Sequence, residues 1–338
     1  MSGRRRHRSR YLALALLSTG LLFAGPAIAW AEESITIEFV RHGESVDNAN
    51  GIVGTMPPGA ELTPTGEDQA QAIANVLAPE GPYAGLYASE LIRTQETAAP
   101  LSEALSNMEV QILPGLNEIN AGIYEGQPVF SPDSMLYLLT PVLWVMGAGF
   151  MPMPGSSDAN GFAFDDRFDA AVQIIYDNSI SGDADNPTSV AFSSEGAITT
   201  WTLMNVKNPD FTLILSELLE KGELLPNTGE VVVQGNPEDG WTLISYDGVD
   251  VPQTPDLITA LLVDVRDLIA VPQLAGLNVY DAFLTGDPTT ITDAMQAGFT
   301  DISTALAQFP IAVYEDIVNA FSDSFPAAAT DMSALLAF

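Results

Sequence analysis

Short apolar, β-branched runs alternate along the chain with segments whose apolar residues carry helical spacing. Residues 35–40 form the first such run and predict a strand that stops at Arg41-His42-Gly43. In 65–77, Ala70, Ile73, Ala74 and Leu77 fall on one helical face. Strands are expected at 85–88, 110–113 and 188–192, and helices at 91–105 and 196–204. Strands alternating with helices predict an α/β fold with a mostly parallel sheet. The runs 230–234 and 241–246 flank a turn-forming segment at 235–240 and predict a closing hairpin.

Two segments leave this pattern. Residues 134–157 carry no charge and are rich in Leu, Val, Met and Trp. Their length suits a bilayer span. Pro141, Gly147, Gly149, Pro152 and Pro154 are expected to cut the segment into short pieces, giving an apolar insertion at about 130–157 packed as a lid near a site. There, Trp144 and Phe150 are the candidates to meet a bulky or lipid-like ligand. In the other segment, the tail from 253 to 338, Leu257, Leu261, Leu262, Val265 and Leu268 share a helical face. Asp287-Pro288 reads as an N-cap followed by proline at the first helical position. Ile291, Met295, Phe299, Ile302 and Leu306 follow at spacings of four and three, and Pro310 is expected to begin a third helix. These helices either cover the α/β core or bind a protein or envelope partner.

The first 31 residues have the organisation of a signal peptide. Five arginines precede an apolar stretch at 11–24, and Ala27, Ala29 and Ala31 offer A-x-A cleavage sites. The expected layout is a signal peptide at 1–31, a catalytic-type domain at 32–252 and a helical region at 253–338, in an exported protein. The leader takes five arginines and no acid with it. That leaves Arg41, Arg93, Arg167, Lys207, Lys221 and Arg266 against 44 acids. Such a chain is a poor partner for nucleic acid or anionic lipid, which need clustered cations. It has no cysteine, which excludes disulfides, thiolate metal sites and a cysteine nucleophile. Its two histidines are His7, in the leader, and His42.

His42 stands at the carboxyl end of the first predicted strand, where open α/β sheets place their sites. A neutral imidazole can attack phosphorus, and the adjacent Arg41 guanidinium can hold anionic oxygens in its fork. Asn48 offers an uncharged donor, Gly43 permits close backbone approach, and Arg93 is the second clamp.

These residues sit in four ordered motifs. They are Arg41 to Asn48 (RHGESVDN), Leu62 to Ala70 (LTPTGEDQA), Ser89 to Ala98 (SELIRTQETA) and Leu116 to Gly126 (LNEINAGIYEG). Together they resemble the histidine phosphatase superfamily, also called phosphoglycerate-mutase-like, over about residues 35–250. The resemblance implies a three-layer α/β/α fold and a small phosphorylated substrate. It implies attack by His42, charge neutralisation by Arg41 and Arg93 with Asn48 assisting, and acid–base work by Glu118. It calls for no metal and no organic cofactor. One departure stands out. The family's second histidine lies in a segment like S-H-G-G-x-I, and here that segment places Ser194 or Glu195 at the histidine position. Ser194 can donate one neutral hydrogen bond. Glu195 repels phosphate if ionised and can donate a bond if protonated. The expected consequence is a slowed phosphomonoesterase with its best activity at acidic pH. The alternative is a non-catalytic phosphate-binding or scaffold protein acting through its helical tail.

Overall fold

The computed structural model describes residues 33–182 and 187–324, so the predicted signal peptide and the last residues of the tail lie outside the described residues. The described chain divides into two compact units, with the boundary between Gln253 and Thr254.

The first unit is built on a seven-stranded sheet in the order β3-β2-β4-β1-β5-β6-β7. The strands are β1 (Ile35–Arg41), β2 (Gly85–Ala88), β3 (Val110–Ile112), β4 (Thr188–Ser193), β5 (Glu230–Asn236), β6 (Gly240–Tyr246) and β7 (Val249–Asp250). The first four run parallel, and β5, β6 and β7 add antiparallel on the far side of β1. The sheet is therefore mixed, with the expected parallel strands making up four of its seven. The predicted closing hairpin is β5–β6, and β5 pairs directly with the central β1.

Alternation along β1 makes the layers, because successive strand side chains point to opposite faces. Ile35, Ile37 and Phe39 enter one core with Phe168, Ile175 and Trp201. Val40 enters the other with Ile73, Leu77, Leu101 and Phe192. The second core belongs to α2 (Pro64–Leu77) and α3 (Ile92–Ala104), which follow the short α1 (Val46–Asn50). The first belongs to α5 (Gly161–Ser179) and α6 (Glu195–Asn205), flanked by α4 (Pro132–Val145) and α7 (Phe211–Lys221). A run of aromatic rings ties this layer together. Trp144 stacks on Phe164, Phe164 meets Phe168, Phe168 stacks on Trp201, and Trp201 meets both Phe39 and Trp241, with centroids 5.3–6.2 Å apart.

Two expectations about proline and one about tryptophan are corrected. Pro141 lies inside α4, a continuous helix. The lost backbone bond is outweighed by anchors along the helix. Ser131 caps the N-terminus by accepting from Ser134 N, Tyr137 Oη donates to Ile119 O, and Trp144 Nε1 donates to Met151 O. Trp144 is buried in that role and does not face a ligand, whereas Phe150 is half exposed. Helices α5 and α7 were not predicted. Phe164, Phe168, Val172 and Ile175 of α5 do carry the helical period, but acids interleave with them.

The second unit contains α8 (Leu257–Thr285) and α9 (Pro288–Ser324). Asp256 caps α8 by accepting from Ile258 N and Thr259 N. Gly286 closes it in the left-handed conformation, and Asp287 caps α9 through Thr289 N and Thr290 N. Pro310 is internal to α9, so the expected third helix is instead a continuation of the second. No helix among the described residues is long and apolar enough to cross a membrane.

Candidate functional site

The site forms at the carboxyl edge of β1 and β4, whose register pairs Arg41 with Ser193. His42 N donates to Ser193 O at 3.1 Å, and Ser193 Oγ donates to Leu116 O at 2.6 Å. These two bonds bring the end of β1, the end of β4 and the loop bearing Glu118 to one place. Gly43 sets the exit from β1. A Cβ on it would lie 2.5 Å from Gly66 O, and a Cβ on Gly66 would run into Glu44 O. The glycines of the first two motifs thus meet backbone to backbone, which lets α2 start directly beside the site.

His42 has its tautomer fixed by its neighbours. Nδ1 lies 2.7 Å from Gly43 O, an acceptor, so Nδ1 carries the proton. Nε2 therefore has the lone pair, and it accepts from Arg93 Nε at 2.8 Å. Burial first, then the positive charges of Arg93 and Arg41, hold the imidazole pKa well below its ordinary value. The ring is a neutral nucleophile beside two guanidinium groups.

Arg93 sits in the first turn of α3. Its carbonyl accepts from Thr97 Oγ1 at 2.6 Å, and Thr97 Oγ1 in turn accepts from Gly43 N at 3.0 Å. Its Nη2 lies 3.5 Å from Ser194 Oγ, while Nη1 is buried without a partner. Arg41 has a similarly unpartnered, buried Nε. A buried donor without an acceptor costs about 1–3 kcal/mol, and an anion in this pocket recovers it.

Glu118 is partly buried, with its Oε1 accepting from Ile119 N at 2.8 Å and its Oε2 from Gly196 N at 3.1 Å, at the N-terminus of α6. Burial is the main cause of a raised carboxyl pKa, opposed by those two amides and by Arg93. A carboxyl held toward its protonated form beside a nucleophile is suited to donate a proton.

Ser194 is buried at the N-cap of α6 and offers its hydroxyl beside Arg93. Glu195 does not offer a donor to a phosphoryl group. Its Oε1 accepts from Leu224 N at 2.6 Å, and its Oε2 pairs with Arg41 Nη1 at 3.1 Å. The same Arg41 nitrogen also bonds Glu223 and Leu225 O. Asn48 Oδ1 accepts from Ser45 N and Ser45 Oγ, both at 3.1 Å, closing the capping box of α1. Only its amide nitrogen remains for a ligand.

Two residues that motif reading passed over hold the Glu118 loop. Arg167 of α5 donates to Gly115 O at 2.8 Å and Asn117 O at 3.0 Å, with Nη2 3.4 Å from Glu118 O. Its guanidinium pairs twice with buried Asp158, and Asp158 Oδ2 accepts from Asn120 N at 3.0 Å. The available signal was scarcity, since Arg167 is one of six lysines and arginines after residue 31. Among the described residues no group of three acid or histidine side chains is placed to hold a metal ion.

Residues 37–200 match the model of the histidine phosphatase superfamily, branch 1. The chain is 50% identical over 294 residues to the PE-PGRS family protein PE_PGRS11 of Mycobacterium tuberculosis, covering 85% of this chain and 49% of that protein. It is 36% identical over 97 residues to the metal-independent phosphoserine phosphatase of Arabidopsis thaliana, covering 28% of this chain and 40% of the relative. The chain spans about half the length of the curated relatives it matches. The native structure of a mycobacterial glucosyl-3-phosphoglycerate phosphatase superposes with a TM-score of 0.48 at 19% identity, covering 64% of this chain and 99% of that one. Four motifs on one mixed sheet and the family match across 37–200 make this part of the chain similar to the histidine phosphatase superfamily.

Proposed function

We propose that the first unit hydrolyses small phosphomonoesters through a phosphohistidine on His42. The observation that carries this reading is the lone pair of His42 Nε2, fixed in position beside two guanidinium groups with buried, unpartnered N–H donors. A phosphoryl group entering the pocket replaces Nε2 as a partner of Arg93. Nε2 attacks phosphorus, the P–O bond to the leaving alcohol breaks, and Glu118 gives that alcohol its proton. Water then attacks the phosphohistidine, Glu118 takes the proton back, and the P–N bond breaks. The superfamily match supports this chemistry, as does the phosphatase named among the relatives.

Ser194 donates a neutral hydrogen bond where the family places an imidazole. Loss of one preorganised donor typically lowers turnover about 10²–10³-fold, so we expect a slow enzyme. The leader-like residues 1–31 support export, and the helical second unit is proposed to meet a protein or envelope partner. The capture of Arg41 by Glu195 and Glu223 favours a second reading, a non-catalytic phosphate-binding protein.

An assay of an aryl phosphate from pH 4 to 8, with His42→Ala alongside, separates the two. Hydrolysis that His42→Ala abolishes, with an acid-labile phosphoenzyme trapped during turnover, is the expected result. Equal rates in both proteins overturn the catalytic reading.

A further inference from the structure

The charge around this pocket differs from what a doubly charged phosphate calls for. Two cations face it, Arg41 from β1 and Arg93 from α3. Arg41 is bonded by Glu195 of α6 and by Glu223 from the loop after α7. Arg93 lies in the field of Glu118 and then of Asp47 of α1. Also here are His42, held neutral, Glu118, held toward its acid form, and Tyr137 of α4, whose hydroxyl donates to Ile119 O and which lies in the field of Glu118 and Glu125. Two guanidiniums thus stand against three carboxylates, and a serine occupies the position where the superfamily motif has a histidine. A dianion here meets no net positive charge, although the directional donors Arg93 Nη1 and Arg41 Nε remain.

We propose that the pocket selects a phosphoryl group carrying one negative charge, and that Glu195 and Glu223 set this selection by holding Arg41. The shared chemistry is a singly charged tetrahedral phosphate. It arises from a phosphomonoester that keeps one proton or from a phosphodiester. Both suit the His42 reaction of the preceding section, on which the catalytic meaning of this proposal rests. Nε2 forms the N–P bond, the leaving oxygen takes the Glu118 proton, and the second oxygen substituent, a hydroxyl or an ester, stays on phosphorus.

Anion binding tests the selection apart from turnover. Ligands of fixed charge at one pH avoid the titration of Glu118. Isothermal calorimetry on the full chain at pH 5 would compare sulfate (a dianion), dihydrogen phosphate (a monoanion) and dimethyl phosphate (a diester monoanion). The expected result is that dihydrogen phosphate binds at least as tightly as sulfate. Dimethyl phosphate then assigns the source. Binding equal to that of dihydrogen phosphate supports diesters, and failure to bind supports protonated monoesters. Glu223→Gln removes one unit of negative charge from a half-exposed position. It should tighten sulfate about tenfold and the monoanion only about threefold, since a Coulomb energy scales with ligand charge. Sulfate binding tenfold tighter than both monoanions in the wild type overturns the proposal. So does an equal effect of Glu223→Gln on sulfate and dihydrogen phosphate, or no binding of any of the three. Selective binding without hydrolysis would leave this selection standing while the catalytic reading fails. Hydrolysis with preference for the dianion would do the reverse.

Discussion

Arg167 and Asp158 form a two-pronged pair, Nε to Oδ1 at 2.8 Å and Nη2 to Oδ2 at 2.9 Å, directly behind the loop that carries Glu118. The pair also bonds the backbone of that loop, at Pro114, Gly115, Asn117, Glu118 and Asn120. Arg167 also lies over the ring of Phe164, 5.3 Å from its centroid. It is a positioning residue, acting through where Glu118 sits. Arg167→Lys keeps the charge and loses the fork. We expect kcat to fall about tenfold or more for alkyl phosphates, whose leaving groups need a proton, and far less for a nitrophenyl phosphate. KM should change little. Equal losses on both substrates would mean a general structural role.

Gly196 offers a second way to move the same acid. A Cβ there would lie 2.8 Å from Glu118 Oε1, the end of a side chain and not a backbone atom. Gly196→Ala should therefore leave thermal stability nearly intact while displacing the carboxyl. Its kinetic signature should match that of Glu118→Gln, with loss concentrated in alkyl phosphates. A variant that unfolds early, or that hydrolyses alkyl phosphates normally, contradicts the placement of Glu118.

Gly43 is expected to behave in the opposite way. Its clash is with the backbone of Gly66, which cannot swing aside. Gly43→Ala should destabilise the first unit by about 1–3 kcal/mol, the usual range for overpacking. Denaturant unfolding measures this directly, and an unchanged midpoint would refute the close approach.

Glu38 gives a pH signature of stability that is separate from activity. Burial, then Glu80 and Glu230, raise its pKa from 4.5 to about 7. A carboxyl that binds its proton more tightly when folded favours the folded state at low pH. That advantage is lost as pH rises from about 4.5 through about 7. Glu38→Gln should therefore raise the unfolding midpoint at pH 8 and change it less at pH 5. An equal effect at both pH values would show that Glu38 does not titrate in this window.

How far the sequence could be read depended on the range of the interaction involved. β1, β2, β4, α2, α3 and α6 follow from apolar spacing within a dozen residues, and the observed bounds differ from the expected ones by only a residue or so. Pro141 and Pro310 misled because a proline inside a helix costs about 3 kcal/mol locally, yet both lie inside continuous helices. Helix α5 escaped because its acids interrupt the apolar pattern, although Asp158, just before the helix, and Asp169, within it, prove to be bonded partners of Arg167 and Trp201.

By itself the sequence determined β1, β2 and β4 with α2, α3 and α6, and the four motifs that place His42, Arg93 and Glu118 in one family of sites. Those features reside in local spacing and residue type. Only the tertiary structure decided that Arg167 and Asp158 hold the acid loop, that Trp144 is a core residue, and that Glu195 faces Arg41 and not phosphate. Each of these depends on residues that meet only once the sheet has formed. Glu223 is 182 positions from Arg41, and no period or motif along the chain encodes that pairing.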